Sequence, residues 1–323
     1  MPEVYTAPQL ERPTLGGRTL ADLSIVIPAY NEEEGIGPTL EELRRRVPAA
    51  EIIVIDDGSR DRTAEVARGV GGVRVVSHGR NRGYGAALKT GIRASTRGCI
   101  AWYDADGQHR PRDLIHVARP ILDGDADMVI GVRGADSARQ RDRAAGKWVL
   151  NFVARAVSGE HIPDLNSGLR CFQRDVIMRY LHLLPDTFSA STTSTLLMLK
   201  RGYRVGYVPI VAAARIGKST VKIVSDGLRT LQLIVRIVVL FEAFRVFTLL
   251  GMGLFIPGLL YGIVVALLKG QGFPTLAGTA VISGVLTFFI GIVADQVVEL
   301  RKERFEDDRE HHQVEPAGAD AYS

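Results

Sequence analysis

The first two thirds of the chain alternate between short apolar runs and longer stretches that mix apolar and polar positions. The apolar runs are rich in β-branched residues and predict strands over residues 23–28, 51–55, 73–76, 99–103 and 128–132. The stretches between them predict helices over residues 33–46, 61–69, 84–96 and 111–122. Strands that alternate with helices indicate one α/β domain with a mostly parallel sheet covered on both faces.

The last third of the chain differs, because it contains two long apolar stretches. Residues 246–268 and 270–294 contain no charged side chain. About twenty apolar residues match the hydrocarbon thickness of a bilayer, so transmembrane helices are predicted over residues 246–268 and 275–296. A pair of buried core helices in a soluble domain is the alternative. Arg245 precedes the first span and Arg301 follows the second, so the positive-inside rule predicts a hairpin with both chain termini in the cytoplasm.

Residues 220–245 carry polar side chains at helical spacing between mostly apolar positions. Lys222, Asp226 and Arg229 belong to this polar stripe. The pattern predicts an amphipathic helix in the membrane interface, and the alternative is an ordinary surface helix packed on the α/β domain. The predicted organisation is an N-terminal tail (1–22), the α/β domain (23–219), this helix (220–245), the hairpin (246–298) and a C-terminal tail (299–323).

The composition excludes several classes of protein and partner. A hydrophobic fraction of 46% and a charged fraction of 24% favour a folded core over disorder. A net charge of +4, without a basic arm interleaved with aromatics, gives no reason to expect a nucleic-acid partner. Cys99 and Cys171 lack C-x-x-C spacing and are predicted to be buried thiols. The first twenty residues are polar and contain prolines, which is typical of a loose tail and not of a signal peptide.

Carboxylates gather where the predicted strands end. Asp56 and Asp57 follow the second strand, and Asp104 and Asp106 follow the fourth, with Gln108 two residues further on. Ligands of an open α/β sheet bind at the carboxyl ends of its strands, where these acids would repel the phosphates of a nucleotide. A divalent cation between them would remove this repulsion, and oxygen ligands suit Mg²⁺ or Mn²⁺. The alternative for the loop after the fourth strand is an ordinary polar turn.

Six short motifs follow one another between residues 23 and 220. They are SIVIPAYNEEE, VIDDGSRD, NRGYGAAL, DADGQH, DLNSGLRCF and RIGKS. Taken together, they resemble the motifs of glycosyltransferase family 2. With the predicted hairpin, the chain is similar to the polyprenyl-phosphate glycosyltransferases, the group that contains the dolichol-phosphate mannose synthases. The resemblance implies a GT-A nucleotide-sugar-binding fold and an inverting transfer of a hexose, from a GDP-mannose or UDP-glucose type of donor, to polyprenyl phosphate.

The resemblance also assigns residues to the donor and to a metal ion. The residues implied to line the nucleotide pocket or to contact base and ribose are Pro28, Tyr30, Glu32, Ile55 and Asp57. Asp56, beside them, could instead cap the following loop. The residues implied to bind the nucleotide sugar after the fourth strand are Asp104, Ala105 and Asp106, and those that match a D-x-D-x-Q metal pattern are Asp104, Asp106 and Gln108. His109 would support this loop or be exposed.

Basic residues are implied to act on the phosphates, together with Asp106 as a catalytic residue. Arg133 follows the fifth strand, where it would contact a donor or acceptor phosphate, and its alternative is a surface salt bridge. Arg215 and Lys218, in the RIGKS motif, would close over the diphosphate or hold the lipid phosphate.

Three weaker candidates are implied on the acceptor side. They are Asp164, Ser167 and Arg143. The first two could only shape a turn, and Arg143 could belong to a solvated or headgroup-facing surface.

The expected chemistry depends mainly on charge. A lipid phosphate is already an anion near neutral pH, so its attack needs no carboxylate base. The expected partners are a nucleotide-sugar donor, polyprenyl phosphate, a membrane and Mg²⁺ or Mn²⁺, and a homo-oligomer stays open. One alternative is a family relative with another membrane acceptor, such as a glycolipid or a polysaccharide. The other is a membrane-tethered protein that binds nucleotide sugars without turnover.

Overall fold

The structure is a computed structural model of the chain, and it describes residues 3–4, 17–134, 155, 160, 162–213, 243–270 and 272–313. The chain divides into two compact units, residues 1–227 and 228–323. The predicted amphipathic helix over residues 220–245 lies almost wholly outside the described residues.

The described part of the first unit contains one eight-stranded sheet. Its strands are β1 (Glu3–Val4), β2 (Leu23–Ala29), β3 (Glu51–Asp56), β4 (Arg74–Ser77), β5 (Cys99–Trp102), β6 (Met128–Arg133), β7 (Arg170–Gln173) and β8 (Val205–Ile210). Their order across the sheet is β1-β8-β6-β7-β5-β2-β3-β4. The β7 strand is antiparallel to β5 and β6, and the other pairs are parallel. The prediction of a mostly parallel sheet is therefore confirmed.

Helices connect these strands. They are α1 (Glu33–Arg46), α2 (Thr63–Gly69), α3 (Tyr84–Ala94), α4 (Pro111–Leu122), α5 (Arg174–Arg179) and α6 (Ala190–Lys200), with 3-10 turns at Leu20–Asp22 and Leu181–Leu183. The first four match the predicted helices closely. All seven residues of β2 are buried, as expected for a central strand with both faces covered.

The direction of β7 decides what meets at the functional edge of the sheet. Strands β2, β3, β5 and β6 run the same way, so the loops after them lie along one edge. Because β7 runs the opposite way, the loop before it, residues 162–169, reaches this same edge. Five separate loops are thus brought together there.

Two short segments of the predicted N-terminal tail form regular structure, so the expectation of a loose tail is wrong for these segments. Glu3–Val4 pairs with β8. The Thr19 hydroxyl oxygen accepts the N–H of Ala21 at 3.2 Å, and the Asp22 carboxylate accepts the N–H of Thr19 at 2.8 Å, so the two side chains form a capping box around the 3-10 turn.

The second unit is a hairpin of two helices, α7 (Ala243–Lys269) and α8 (Thr275–Gln313). Phe244–Leu268 and Thr275–Val297 are long and apolar enough to cross a membrane. Only 17% of the most apolar window of each helix is buried, whereas a core helix of a soluble domain would be mostly buried. This exposure favours the predicted transmembrane spans. The α8 helix continues well past residue 296, so part of the predicted C-terminal tail is helical.

The two helices of the hairpin approach most closely at glycines. A Cβ atom on Gly284 would lie 2.7 Å from the carbonyl oxygen of Gly251 and 2.8 Å from Cβ of Phe255. Both distances are too short for real atoms, so the glycine is required by the helix crossing. Small residues at such crossings allow two apolar helices to pack backbone to backbone.

We expect Gly284→Leu to force the two helices apart and to lower the free energy of unfolding of the hairpin by about 1–3 kcal/mol. Gly253→Leu is the matched control, since no atom lies within 4 Å of a Cβ at that position. The measurement is the thermal unfolding midpoint of both variants in detergent. Equal midpoints for the two variants would contradict the close crossing.

Candidate active site

Backbone N–H groups of the loop after β2 donate hydrogen bonds to side chains in the segment that follows β3. Asn31 donates its N–H to Ser59 Oγ at 3.0 Å, and Glu32 donates its N–H to Thr63 Oγ1 at 2.8 Å. Asn31 has a φ of 54°, a left-handed conformation that asparagine tolerates better than most residues. Tyr30 precedes this turn, with 36% of its surface exposed. Of the residues predicted to line the nucleotide pocket, it is therefore well placed to contact a ligand.

Two of the predicted nucleotide contacts belong instead to the sheet. Pro28 and Ile55 are register partners in neighbouring strands, and both are buried. The Ile55 side chain packs towards Gly91 of α3 and has no exposed surface, which does not favour the predicted contact with a base. Asp56 Oδ1 accepts the N–H of Ser59 at 3.0 Å, so the alternative role of Asp56 as a loop cap is confirmed.

Asp57 fixes the segment that leads into α3. Its Oδ1 accepts the N–H of Arg82 at 2.9 Å and lies 2.6 Å from Nδ1 of His78. Its Oδ2 accepts the N–H of Gly83 at 2.8 Å. The other ring nitrogen of His78 lies 3.0 Å from Thr90 Oγ1, within α3. A buried carboxylate with these partners shapes the site, and its predicted contact with base and ribose stays a prediction.

The Asp104 carboxylate is held from three sides. Its Oδ1 accepts the hydroxyl of Tyr84 at 3.0 Å, and its Oδ2 lies 3.3 Å from Nε2 of His109. Gly168 packs so closely against Oδ2 that a Cβ atom there would overlap it. The supporting role expected for His109 is therefore confirmed.

The charge state of these groups follows from burial and from their partners. Burial raises the pKa of Asp104, but the hydrogen bonds and charges of His109, Tyr84 and Arg133 outweigh it and hold this pKa below its usual value. Burial and the charge of Asp104 raise the pKa of Tyr84 well above its usual value. Tyr84 therefore stays protonated and donates to an ionised Asp104.

Asp104 begins the DADGQ loop, residues 104–108. The remaining residues of this loop supply further oxygen atoms. Asp106 is 8% exposed, and its Oδ1 accepts the N–H of Gln108 at 3.1 Å. Gln108 donates its Nε2 to the Ala213 carbonyl at 3.4 Å, which leaves Oε1 as the amide atom for a ligand. Ala105 is buried, and its carbonyl accepts the hydroxyl of Thr39 in α1 at 3.4 Å, so this residue anchors the loop.

This loop fits a hard divalent cation. Two carboxylates and one amide oxygen come from five consecutive residues, and oxygen donors are those that Mg²⁺ and Mn²⁺ prefer. Within the described residues, no three His, Cys, Asp or Glu side chains cluster to hold a metal ion. The set of Asp104, Asp106 and Gln108, which adds an amide oxygen to two carboxylates, stays a prediction.

Arg133 and Asp164 form a two-point ion pair at the same edge. Arg133 Nε donates to Asp164 Oδ2 at 2.7 Å, and Nη2 donates to Oδ1 at 2.9 Å. Burial raises the pKa of Asp164, but the hydrogen bonds and charge of Arg133 hold this pKa below its usual value. The hydrogen bonds and the charge of Asp164 raise the pKa of Arg133, and the charge of Asp104 raises it further, so Arg133 interacts with both carboxylates. The salt bridge considered for Arg133 therefore exists, and it lies within the site.

The loop before β7 is organised by a buried arginine that the sequence reasoning missed. Arg170 has no exposed surface, and it donates to the carbonyls of Ser167 at 2.7 Å and Leu165 at 2.8 Å. It also donates to Thr195 Oγ1 of α6 at 2.7 Å and lies over the Trp102 ring. Burial lowers the pKa of Arg170 to about 10. The signal in the sequence was an arginine between apolar residues in the motif DLNSGLRCF.

The other acceptor-side candidates have different outcomes. Ser167 is fully buried, and its Oγ has no hydrogen-bond partner among the described residues. Arg143, Arg215 and Lys218 lie outside the described residues, so their predicted roles stay predictions.

Comparisons with known proteins show the family of the chain. Residues 24–181 match the family described as Glycosyl transferase family 2, and residues 244–300 match the GtrB C-terminal hairpin. An uncharacterized protein of Methanocaldococcus jannaschii is 36% identical over 197 residues, which cover 58% of this chain and 80% of that protein. The chain belongs to glycosyltransferase family 2.

The names of two relatives of this family 2 glycosyltransferase specify dolichyl phosphate. The dolichyl-phosphate hexose transferase of Haloferax volcanii is 30% identical over 206 residues, which cover 62% of this chain and 87% of that protein. The UDP-N-acetylglucosamine–dolichyl-phosphate N-acetylglucosaminyltransferase of Methanococcus voltae is 26% identical over 210 residues, which cover 58% of this chain and 83% of that protein.

Solved structures support the fold of this glycosyltransferase. Glucosyl-3-phosphoglycerate synthase of Mycobacterium tuberculosis, in complex with Mn²⁺, uridine diphosphate and phosphoglyceric acid, superposes with a TM-score of 0.59. The two chains are 22% identical, and the match covers 73% of this chain and 84% of that one. The same enzyme with Mg²⁺ and uridine diphosphate also gives a TM-score of 0.59, at 21% identity, over 73% of this chain and 85% of that one. The GT-A fold expected from the sequence is confirmed.

We expect Gly168→Ala to displace the Asp104 carboxylate, because the added Cβ would occupy its position. Glycosyl transfer should fall by about tenfold or more, and the Mn²⁺ concentration for half-maximal turnover should rise. Gly98→Ala is the matched control, since no atom lies within 4 Å of a Cβ there. A Gly168→Ala variant that is less stable but needs no more Mn²⁺ would show that Gly168 serves packing alone.

Proposed function

We propose that this glycosyltransferase transfers a hexose from a nucleotide sugar to polyprenyl phosphate, with inversion, at the cytoplasmic face of a membrane. The observation that carries the proposal is the DADGQ loop beside the Arg133–Asp164 ion pair, in a chain that also has an apolar hairpin. An oxygen-rich loop suits a metal-bound diphosphate, and an arginine beside it suits a second phosphate.

Relatives and structural neighbours support the choice of substrates. The names of the Haloferax volcanii and Methanococcus voltae relatives specify dolichyl phosphate. The Mycobacterium tuberculosis neighbour binds uridine diphosphate together with Mn²⁺ or Mg²⁺. A donor of the GDP-mannose or UDP-glucose type and Mg²⁺ or Mn²⁺ as cofactor are the corresponding proposals for this chain.

The protein's own residues would act on charge and orientation. Asp104, Asp106 and Gln108 would hold the cation, which when bound neutralises the donor diphosphate and stabilises it as the leaving group. Tyr84 and His109 fix the orientation of the Asp104 carboxylate. Groups held in place by such hydrogen bonds need little reorganisation during the reaction.

Arg133 is suited to hold the acceptor phosphate. Its Nε and Nη2 donate to Asp164, which fixes the guanidinium plane and leaves Nη1 for a phosphate oxygen. Arg215 and Lys218 would add charge over the diphosphate or the lipid phosphate, and Arg143 would lie on the acceptor side. The basic residues that flank the hairpin support a cytoplasmic site and cytoplasmic termini.

The state of the neighbouring carboxylates favours an acceptor that is already an anion. A hydroxyl acceptor would need a carboxylate base. Asp104 is engaged by Tyr84 and His109, and Asp164 is engaged by Arg133, each with a pKa below its usual value. Both groups are therefore poor bases, whereas a phosphate oxygen needs none.

The direct test uses the full-length protein in detergent with GDP-mannose, UDP-glucose or UDP-N-acetylglucosamine. We expect release of nucleoside diphosphate to require both polyprenyl phosphate and Mg²⁺ or Mn²⁺. Asp106→Ala should lower kcat about a hundredfold or more, because a cation ligand is lost. Asp125→Ala, at an exposed turn before β6, is the control. Release at the same rate without polyprenyl phosphate would refute the acceptor, and full turnover by Asp106→Ala would refute the metal site.

We expect Arg133→Lys to lower kcat/KM for polyprenyl phosphate by about tenfold and to leave the KM of the nucleotide sugar little changed. A lysine keeps the charge, but its ammonium group lacks the rigid plane of donors with which a guanidinium can bind Asp164 and a phosphate at the same time. Arg119→Lys is the matched control, because Arg119 also pairs with a carboxylate, that of Asp123, but at the C-terminal end of α4. If both variants behave alike in steady-state kinetics, Arg133 has no role beyond its salt bridge.

A further inference from the structure

One aromatic ring of the first unit, that of Phe188, is exposed to solvent near the DADGQ loop. Among the described residues of this unit, only Tyr30 and Phe188 are large hydrophobic residues with exposed surfaces. Tyr30 follows β2, on the side of the nucleotide pocket. Phe188 is 76% exposed, and burying such a ring against an apolar ligand would be favourable. Most of the ring surface is therefore available to a ligand.

Phe188 belongs to a stack that begins at the proposed cation ligands. Its ring lies on the ring of Tyr84, with 4.9 Å between centroids and 16° between planes. The hydroxyl of Tyr84 donates to Asp104 at 3.0 Å. The Phe188 ring centre therefore lies no more than about 11 Å from the Asp104 carboxylate. This limit is the sum of the hydrogen-bond length, the distance from the Tyr84 hydroxyl oxygen to the centre of its ring, and the distance between the two ring centres.

The loop that carries Phe188 is fixed to the start of α3. The Asp186 carbonyl accepts the N–H groups of Gly85 at 2.9 Å and Ala86 at 3.3 Å. Lys89 pairs with the Asp186 carboxylate and donates to the Leu184 carbonyl at 3.2 Å. The loop that presents the ring is thus held by the protein's own hydrogen bonds, and a fixed loop loses less entropy on binding a ligand.

The chemistry of this loop fits a hydrocarbon better than a sugar. Thr187 and Ser189, on either side of Phe188, hydrogen-bond to each other at 2.7 Å, and Asp186 is paired with Lys89. A hexose ring needs several directed polar groups for its hydroxyls, and part of the hydrogen-bonding capacity of these side chains is already used by protein partners. What the loop presents outward is one apolar ring.

We propose that the exposed face of Phe188 contacts the isoprene units next to the acceptor phosphate, and that Phe188 selects for a prenyl chain. The inference rests on the function proposed for the site, and it names the part of the acceptor that the chain recognises. The phosphate would meet Arg133 and the reacting carbon, while the first isoprene units lie against Phe188.

The test is steady-state kinetics of the full-length protein in detergent, with farnesyl phosphate as acceptor. Phe188→Ala should lower kcat/KM for farnesyl phosphate by about three- to tenfold and leave the KM of the nucleotide sugar unchanged. Phe188→Leu should restore most of this loss, because leucine keeps an apolar surface. Tyr30→Ala should show the reverse, a raised KM for the nucleotide sugar and an unchanged KM for farnesyl phosphate.

Several outcomes would overturn the inference. A raised KM for the nucleotide sugar in Phe188→Ala would make the ring a platform for the donor. A defect with long polyprenyl phosphates in vesicles, but none with farnesyl phosphate in detergent, would make it a contact with the bilayer. Unchanged kinetics would remove any role for it. Failure of the proposed function is distinct, because the wild-type protein would then show no release that depends on farnesyl or polyprenyl phosphate.

Discussion

The candidate site depends on the close approach of Gly168 to the Asp104 carboxylate. No side chain fits between them, so the loop before β7 and the loop after β5 can meet only at a glycine. The meeting itself is a consequence of topology, because β7 runs antiparallel between β5 and β6 and brings its preceding loop to their carboxyl ends. Arg170 then holds this loop from the inside, through two of its carbonyls. The motifs DLNSGLRCF and DADGQH are thereby brought into contact.

Several carboxylates lie at this same edge, and without partners they would repel a bound phosphate. Each of three carboxylates is held by a different kind of donor. Asp57 is held by backbone N–H groups and His78, Asp104 by Tyr84 and His109, and Asp164 by Arg133. Partners of this kind stabilise the ionised carboxylate and offset the cost of its burial. Asp104 and Asp164, whose pKa values lie below the usual value, can therefore organise loops around the proposed cation position without acting as bases.

Sequence patterns predicted the elements that have a clear period and missed those that do not. Strands β2 to β6 are apolar and β-branched, and their predicted bounds agree closely with the structure. By contrast, β7 has the sequence RCFQ, and β8 contains a glycine and a proline, so neither is a continuous apolar run. The α6 helix has its first nine residues buried although five of them carry hydroxyls, so it lacks the amphipathic pattern of a surface helix.

The site shows the same limit at the level of single residues. The motifs located Asp104, Asp106 and Gln108, because these lie close together in the chain. They could not show that Tyr84 reaches Asp104 across twenty residues, or that Ile55 turns into the core. Contacts of this kind depend on the packing of α3 against the sheet, which no local pattern encodes.

The Tyr84–Phe188 stack gives the site a division between polar and apolar surface. Its inner end is a hydroxyl bonded to a carboxylate, and its outer end is a hydrocarbon ring in water. A polyprenyl phosphate has the same division, with a charged head and an apolar chain joined by one ester oxygen. A reaction at that head must bring it to a charged site without burying the chain against charges. A stack that changes from hydroxyl to hydrocarbon over two rings meets this requirement, because the charged and apolar parts of one molecule can be bound side by side.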